Sequence, residues 1–461
     1  MQYLGISYQM EHPPRLDPTF IPFGVWREAY LKEAEKPIAI AVERDQGRVS
    51  VHRTHIHGTP EMAEADYRYV ERYVKFLLWS IGGFRVYICG CSELAEKLQA
   101  AYTAGGDRAF DCTFFFQLYE QPLEILDLPL ESCPAFNEQP IPMGGNTDGC
   151  RIGFDAGGSD RKVSAVIDGE CVYSEEVIWF PKRNADPEYH YSHILEAFQT
   201  AASKMPRVDA IGVSSAGVFV GNAPMVASLF IQVPRTNWDK VKTIYDRAAA
   251  AIDPSIPILV ANDGDVSALA GAMGLEKGNL MGIAMGTSEA VGYVNADKCV
   301  LGWINELAFA PVDLQEGAMQ DEWSTDYGVG CKYFSQDAVI KLAPAAGITI
   351  PGELSLAEKL KFVQALMEQD DPRAQAIFET IGAYLAYTAV LYAQFYNIEH
   401  MMMLGRVMSG KGGDTILQVC NDILANEYPE LAKKCLVTLP DEKMRRVGQA
   451  VAAASLPQIK K

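Results

Sequence analysis

The sequence predicts a multidomain α/β protein, and three observations carry that reading. Short apolar runs end repeatedly in acidic or glycine-rich turns, amphipathic helix patterns lie between them, and the composition breaks near residue 148. At 461 residues, and roughly 100–200 residues per domain, the chain has room for two to four well-filled cores.

In the first block, Pro37 to Val42 and Arg48 to Val51 are strand-like runs around Asp45-Gln46-Gly47, a hairpin signal. Val70, Val74, Leu77, Leu78 and Ile81 then recur at helical spacing, Gly82-Gly83 predicts the end of that helix, and Arg85 to Ile88 begins another strand. The stretch from Cys133-Pro134 to Gly144-Gly145-Asn146 concentrates Pro, Gly and Asn, which is linker chemistry. It sets the boundary between an N-terminal α/β domain, 1–148, and a second region, 149–461. The second region opens with Arg151-Ile152-Gly153-Phe154 and Val163 to Ile167, again strand, turn, strand. The two openings resemble each other faintly, as a degenerate repeat or as coincidence between two hairpins.

Charge narrows the function classes. Lys and Arg number 40 against 59 Asp and Glu, a net charge of −19, so phosphate backbones and anionic lipid are poor partners. The ten cysteines are scattered, which reads as a reduced, cytoplasmic chain without a disulfide framework. Cys89-Gly90-Cys91 fits two strand-end residues better than half a metal site. His52, His55 and His57 share a strand whose two-residue period turns His52 away from the others, which fits a solvated face. No basic leader precedes an apolar run, and the most apolar helical stretch, Ile381 to Tyr396, is short for a bilayer span.

Four segments carry candidate chemistry. In Gly153-Phe154-Asp155-Ala156-Gly157-Gly158-Ser159 a strand ends at a carboxylate and turns through two glycines. Such a turn lets backbone N–H groups approach phosphate oxygens while the acid holds hydrated Mg²⁺, although Asp-x-Gly-Gly is also an ordinary hairpin turn. Ile258 to Ala261 is a buried-strand run that breaks at Asn262-Asp263 before a small-residue helix. A carboxylate at a strand's C-terminal end is where open α/β sheets bind ligands, and Asp263 could act as a general base; an isolated Asn-Asp pair is more often a helix cap. The third segment is the strand ending in Gly286-Thr287-Ser288. The fourth is Met401 to Gly413, a strand followed by a glycine-rich turn.

In this order the segments resemble the ROK family (repressor, open reading frame, kinase) of the sugar kinase, actin and heat-shock ATPase superfamily, over about 310 residues from Arg151 onward. The resemblance implies two ribonuclease-H-like lobes with sugar and nucleotide between them: a first lobe of about 149–263 completed by a C-terminal helix at about 445–461, and a second lobe of about 264–444. It implies ATP and Mg²⁺ as cofactors. Asp155 (also the Mg²⁺ ligand), Gly157, Gly158, Ser159, Lys162, Gly286, Thr287, Gly405, Ser409 and Gly410 would serve the nucleotide. Asp263 would be the base, with Asn262, Glu306 and the residue at Tyr333 facing the sugar. The strand and turn Ile211 to Gly217 is similar to the family's Pro-Gly turn, with Ala216 in place of Pro.

Departures matter as much. The family's sugar- and zinc-binding His falls on Phe309, its zinc cluster keeps only Cys331, and its sugar-binding Glu falls on Tyr333. One thiol cannot build a tetrahedral zinc site, so no structural zinc is expected. Glu289 follows the second phosphate loop, where a carboxylate would repel a γ-phosphate unless turned away or bridged by a cation. Two functions therefore stand side by side: an ATP-dependent kinase for a sugar or polyol, and a non-catalytic sugar- or nucleotide-binding sensor. A repressor ranks below both, because the first block begins with strands and lacks a basic recognition helix. A homodimer is the commonest arrangement for such enzymes.

Overall fold

The structure, a computed structural model, describes residues 1–138, 142–440 and 448–459. Part of the linker (139–141) and part of the expected C-terminal helix (445–447, 460 and 461) lie outside the described residues.

Three sheets organise the chain. In the first block, Lys36–Arg44 and Arg48–Ile56 form the hairpin that Asp45-Gln46-Gly47 predicts, with Gln46 at φ 59° in the turn. Arg85–Cys89 runs antiparallel to Lys36–Arg44 on its other side, and Glu124–Leu128 lies parallel to Arg85–Cys89. The helix Ala63–Ile81 follows the apolar spacing and ends at Gly82.

The first lobe has the strand order of a ribonuclease-H-like half. Cys150–Ala156, Asp160–Ile167 and Glu170–Ile178 make an antiparallel meander, while Ala210–Ser215 and Ile258–Asn262 add on in parallel to the first strand. Helices Pro187–Ala202 and Ile244–Ala250 cover one face around Phe154, Phe198 and Tyr245. Asp186 starts the first of these by accepting from the Glu188 N–H, with Pro187 preset for helical φ. Helix Gln449–Ala454 lies on the opposite face.

The second lobe repeats this plan in shorter form: Glu289–Val294, Leu280–Met285, His400–Leu404 and Leu436–Thr438, the first pair antiparallel and the rest parallel. After one hairpin the chain leaves the sheet and runs through Val300–Tyr333 in short turns beneath the first block. The first block is not a third copy of this half, because its third strand runs antiparallel to the hairpin where the lobes have a parallel strand.

The linker separates the first block in sequence, yet one core joins it to the second lobe. Trp79 and Phe110 from the block pack on Phe309 at 4.8 and 6.1 Å between centroids, and Phe110 meets Trp323 at 5.1 Å. Helix Phe23–Leu31 packs along Pro372–Ala393, whose other side meets Gly410–Glu427. This 22-residue helix is longer than the apolar stretch the sequence suggests, and long and apolar enough for a bilayer. Its apolarity answers to burial from both sides.

Candidate active site

The two lobes bring Asp155, Asn262, Asp263 and Glu306 together at one cleft. Asp155 ends the first strand of the first lobe and is buried, with one carboxylate oxygen accepting from the Ser214 hydroxyl at 2.9 Å. Burial raises its pKa; Ser214 and Lys162 oppose that rise, and the nearby charge of Asp263 adds to it. Lys162 stands opposite Asp155 in register, its ammonium 3.7 Å from Asp160.

Behind Asp155 the Gly157-Gly158-Ser159 turn is pinned by Trp179. The indole N–H donates to the Gly157 carbonyl at 2.8 Å and the Asp160 carbonyl at 3.0 Å, and the Trp179 backbone N–H donates to Ser159. The backbone N–H groups of Gly158 and Ser159 have no protein acceptor among the described residues. An exposed turn with its carbonyls tied back and two N–H groups free suits an anion.

Asn262 and Asp263 stand where strand Ile258–Asn262 becomes helix Asp263–Leu275. Asn262 is a helix cap, accepting from the Gly264 N–H at 2.7 Å, and its amide also donates to the Gly217 carbonyl at 2.7 Å. The cap reading holds for Asn262, and the same Gly264 N–H also reaches one Asp263 carboxylate oxygen at 3.1 Å. Asp263 begins the helix, its pKa raised by burial and restrained by the Gly264 N–H and by Lys182.

Glu306 approaches from the second lobe. Its carboxylate accepts no hydrogen bond within the described residues, and burial, then the charges of Asp263 and Asp265, push it up to about 7. Its place is set by Asn305, held at φ 47°. The Asn305 side chain donates to Asp265 at 2.9 Å and accepts from Tyr396 at 3.0 Å, and its backbone N–H donates to Ser80 of the first block. The first block thus fixes the backbone that carries Glu306.

The remaining nucleotide candidates line the second lobe. Gly286-Thr287-Ser288 is a tight exposed turn, closed by the Gly286 N–H on the Ser288 carbonyl. The Arg406 guanidinium donates to the Thr287 hydroxyl at 3.4 Å, which joins this turn to the one after His400–Leu404. There Gly405 has φ 93°, and a Cβ would collide with the Met285 carbonyl. Ser409 and Gly410 are exposed at the start of helix Gly410–Glu427, and the Ser409 hydroxyl does not cap it.

Glu289 is turned away from the Gly286-Thr287 turn. It is buried, accepts from the Tyr392 hydroxyl at 3.2 Å, and burial pushes it up to about 8, so it is largely neutral at pH 7.

Tyr333 does not join the cleft. Its hydroxyl donates to Asp313 at 2.6 Å, and its ring packs against Phe20 and Tyr384 with the Lys341 ammonium 3.6 Å from the ring centre. The N-terminal segment covers this face and draws the tyrosine into its core. Phe309 is likewise part of the aromatic contact with the first block. Cys331 lies against Asp321 and beside Lys332, whose ammonium reaches Asp337 at 2.7 Å. Among the described residues no three His, Cys, Asp or Glu side chains stand grouped for a metal.

Sequence reasoning missed Lys182, Trp179 and Arg406. For Lys182 the available signal was a basic pair, Lys182-Arg183, directly after the returning hairpin strand of an acidic chain.

No family model matches the chain, and no curated protein matches it. Among solved structures, a ROK family transcriptional regulator, homolog of the E. coli MLC protein, superposes with TM-score 0.50 at 17% identity, over 67% of this chain and 78% of that one. A ROK hexokinase from Thermus thermophilus gives TM-score 0.49 at 17% identity, over 66% of this chain and 97% of that one. The fold is thus the two-lobed fold of that ROK family regulator. This chain carries an added N-terminal block on its second lobe.

Proposed function

We propose that the protein is a ROK-type kinase that transfers the γ-phosphoryl group of ATP to a hydroxyl of a sugar or polyol. The observation that carries this reading is Asp263: a half-buried carboxylate at a helix start, close to Asp155 of one glycine turn and to the unpartnered Glu306 of the opposite lobe.

In this reading Asp263 accepts the proton of the attacking hydroxyl, and its raised pKa strengthens it as a base. Glu306 accepts a hydrogen bond from a second acceptor hydroxyl and sets the angle of attack. The free N–H groups at Gly158 and Ser159, with Lys162 and the Gly286-Thr287 turn, hold phosphate oxygens. Gly405, Ser409 and Gly410 leave room for the nucleoside end. Asp155, with one oxygen lacking a protein partner and its carboxylate disfavoured by Asp263, fits a ligand of hydrated Mg²⁺. Asp155 would hold the hydrated ion, which would supply positive charge against the phosphates. Ten free cysteines support a reducing, cytoplasmic setting.

The decisive experiment is ATP-dependent phosphorylation across a panel of hexoses and polyols, with Asp263→Asn as the partner sample. Wild-type transfer, a loss of roughly 10²–10⁴-fold in the variant and retained nucleotide binding are expected. Undiminished turnover in Asp263→Asn would remove the residue from this role.

A second reading, a sensor that binds sugar or nucleotide without transfer, is favoured by Phe309 and Tyr333, which are committed to the core where the ROK pattern has sugar ligands. Ligand-induced thermal shifts with no turnover across the same panel would select it.

A further inference from the structure

Lys182 is a cation of the first lobe beside Asp263 that sequence reasoning did not select, and its surroundings give it a task. It sits in a short turn, Pro181–Arg183, directly after the strand Glu170–Ile178. That turn is fixed from three directions. Trp179 is tied to the glycine turn, the Phe180 N–H donates to the Tyr189 hydroxyl at 2.9 Å, and the His190 ring nitrogen lies 3.1 Å from the Pro181 carbonyl. On this fixed backbone the Lys182 side chain reaches over Gly158. A Cβ placed on Gly158 would stand 3.0 Å from its Cε and 3.1 Å from its Nζ.

The ammonium is exposed and forms no ion pair or hydrogen bond within the described residues, although the chain carries 59 acidic side chains. It is close enough to Asp263 to favour that residue's ionised form. A lysine left unpaired between a glycine turn and a carboxylate cluster has three N–H donors directed at one region of the cleft.

We propose that Lys182 binds the terminal phosphoryl group of the nucleotide over Gly158, as the positioning cation of the first lobe. The inference rests on the kinase reading and deepens it, naming the residue that tells a nucleoside triphosphate from a diphosphate. Lys182 neutralises charge on the phosphoryl oxygens beside Asp155 and Asp263, where an acidic cleft would otherwise repel them. In the transfer itself the O–P bond to the acceptor forms, the bond to the diphosphate breaks, and the hydroxyl proton goes to Asp263. Lys182 keeps its own proton throughout.

The test separates this inference from the reading beneath it. Binding of AMP-PNP and of ADP, each with Mg²⁺, is measured by calorimetry for wild type, Lys182→Met, Lys182→Arg and Lys204→Met. Lys204 is an exposed lysine of the same lobe, packed on Tyr173, and controls for net charge. In Lys182→Met the preference for AMP-PNP over ADP should fall about tenfold or more, with ADP affinity nearly unchanged. Lys182→Arg should restore part of it, and Lys204→Met should behave as wild type. An unchanged preference in Lys182→Met, or an equal loss in Lys204→Met, overturns the role of Lys182 and leaves the nucleotide site standing. A wild-type protein that binds neither nucleotide overturns the kinase reading, and the role of Lys182 with it.

Discussion

Replacing Glu289 by Gln should stabilise the protein at neutral and alkaline pH. The carboxyl is buried with only the Tyr392 hydroxyl as a partner at 3.2 Å, and its second oxygen has none. Its pKa is raised from 4.5 to about 8, so the native state holds the proton more tightly than the unfolded chain does. For an acid raised in this way the stabilising contribution is complete below the unfolded value and is lost as pH rises through the folded one. The loss comes to about 3 kcal/mol at pH 7 and about 5 kcal/mol above pH 8, an order-of-magnitude figure. Gln keeps the shape and the acceptor for Tyr392 and removes the titration. Urea unfolding followed between about pH 5 and 9 should show wild-type stability falling with pH and the variant falling less steeply. Asp265 and Glu306, both at about 7, and Asp313, at about 6, titrate in the same direction, so the variant keeps part of the slope. Superimposable slopes, or a variant less stable than wild type at pH 8, would refute the reasoning.

The remaining predictions concern the first block and the nucleotide site. Asp326 pairs with Arg72 at 3.1 Å, Lys75 at 3.0 Å and Arg108 at 2.8 Å, so Asp326→Asn strands buried cations. A cost of about 3–5 kcal/mol is expected, read as a lower urea midpoint. The Asp326 carboxyl is held down at about 2 by Arg72 and Lys75 against the opposing effect of burial. The stability it lends is therefore present at neutral pH and lost only as pH falls through about 2. Gly405→Ala should weaken AMP-PNP binding severalfold while leaving sugar-induced thermal shifts in place, because φ 93° and the Met285 carbonyl both exclude a side chain. Equal loss of both ligands would instead mean the lobe itself had failed.

What the sequence disclosed was local in origin. Strands that end in glycine or acidic turns, the hairpin at Asp45–Gly47 and the helix ending at Gly82 are written within a few residues, and the structure repeats them. The Asn262-Asp263 pair and its cap on Gly264 were legible locally, but the tie that fixes the Asn262 amide was not, since Gly217 lies 45 residues away. Tyr333 was misplaced for a related reason. The resemblance to the ROK pattern put it in line with a sugar ligand, and only the fold brings Phe20 and Asp313 around it. The aromatic contact of Trp79 and Phe110 with Phe309 likewise joins segments more than 190 residues apart, beyond the reach of any periodicity.

The block's two seams are unequal. Toward the second lobe it is closed by Trp79, Phe309 and buried ion pairs, a boundary as dense as a domain interior. Toward the first lobe the helix Ala109–Tyr119 meets the strands Val218–Val220 and Ala223–Val226, whose Val218 and Met225 are buried in its apolar core, with exposed polar pairs only at the edge, Arg235 with Gln117 at 3.1 Å and Lys242 with Glu120. Such pairs are individually weak and exchange readily with water. The block is therefore a bracket across both jaws: parting it from the first lobe must expose Val218 and Met225 to water, and salt loosens only the polar pairs at the rim.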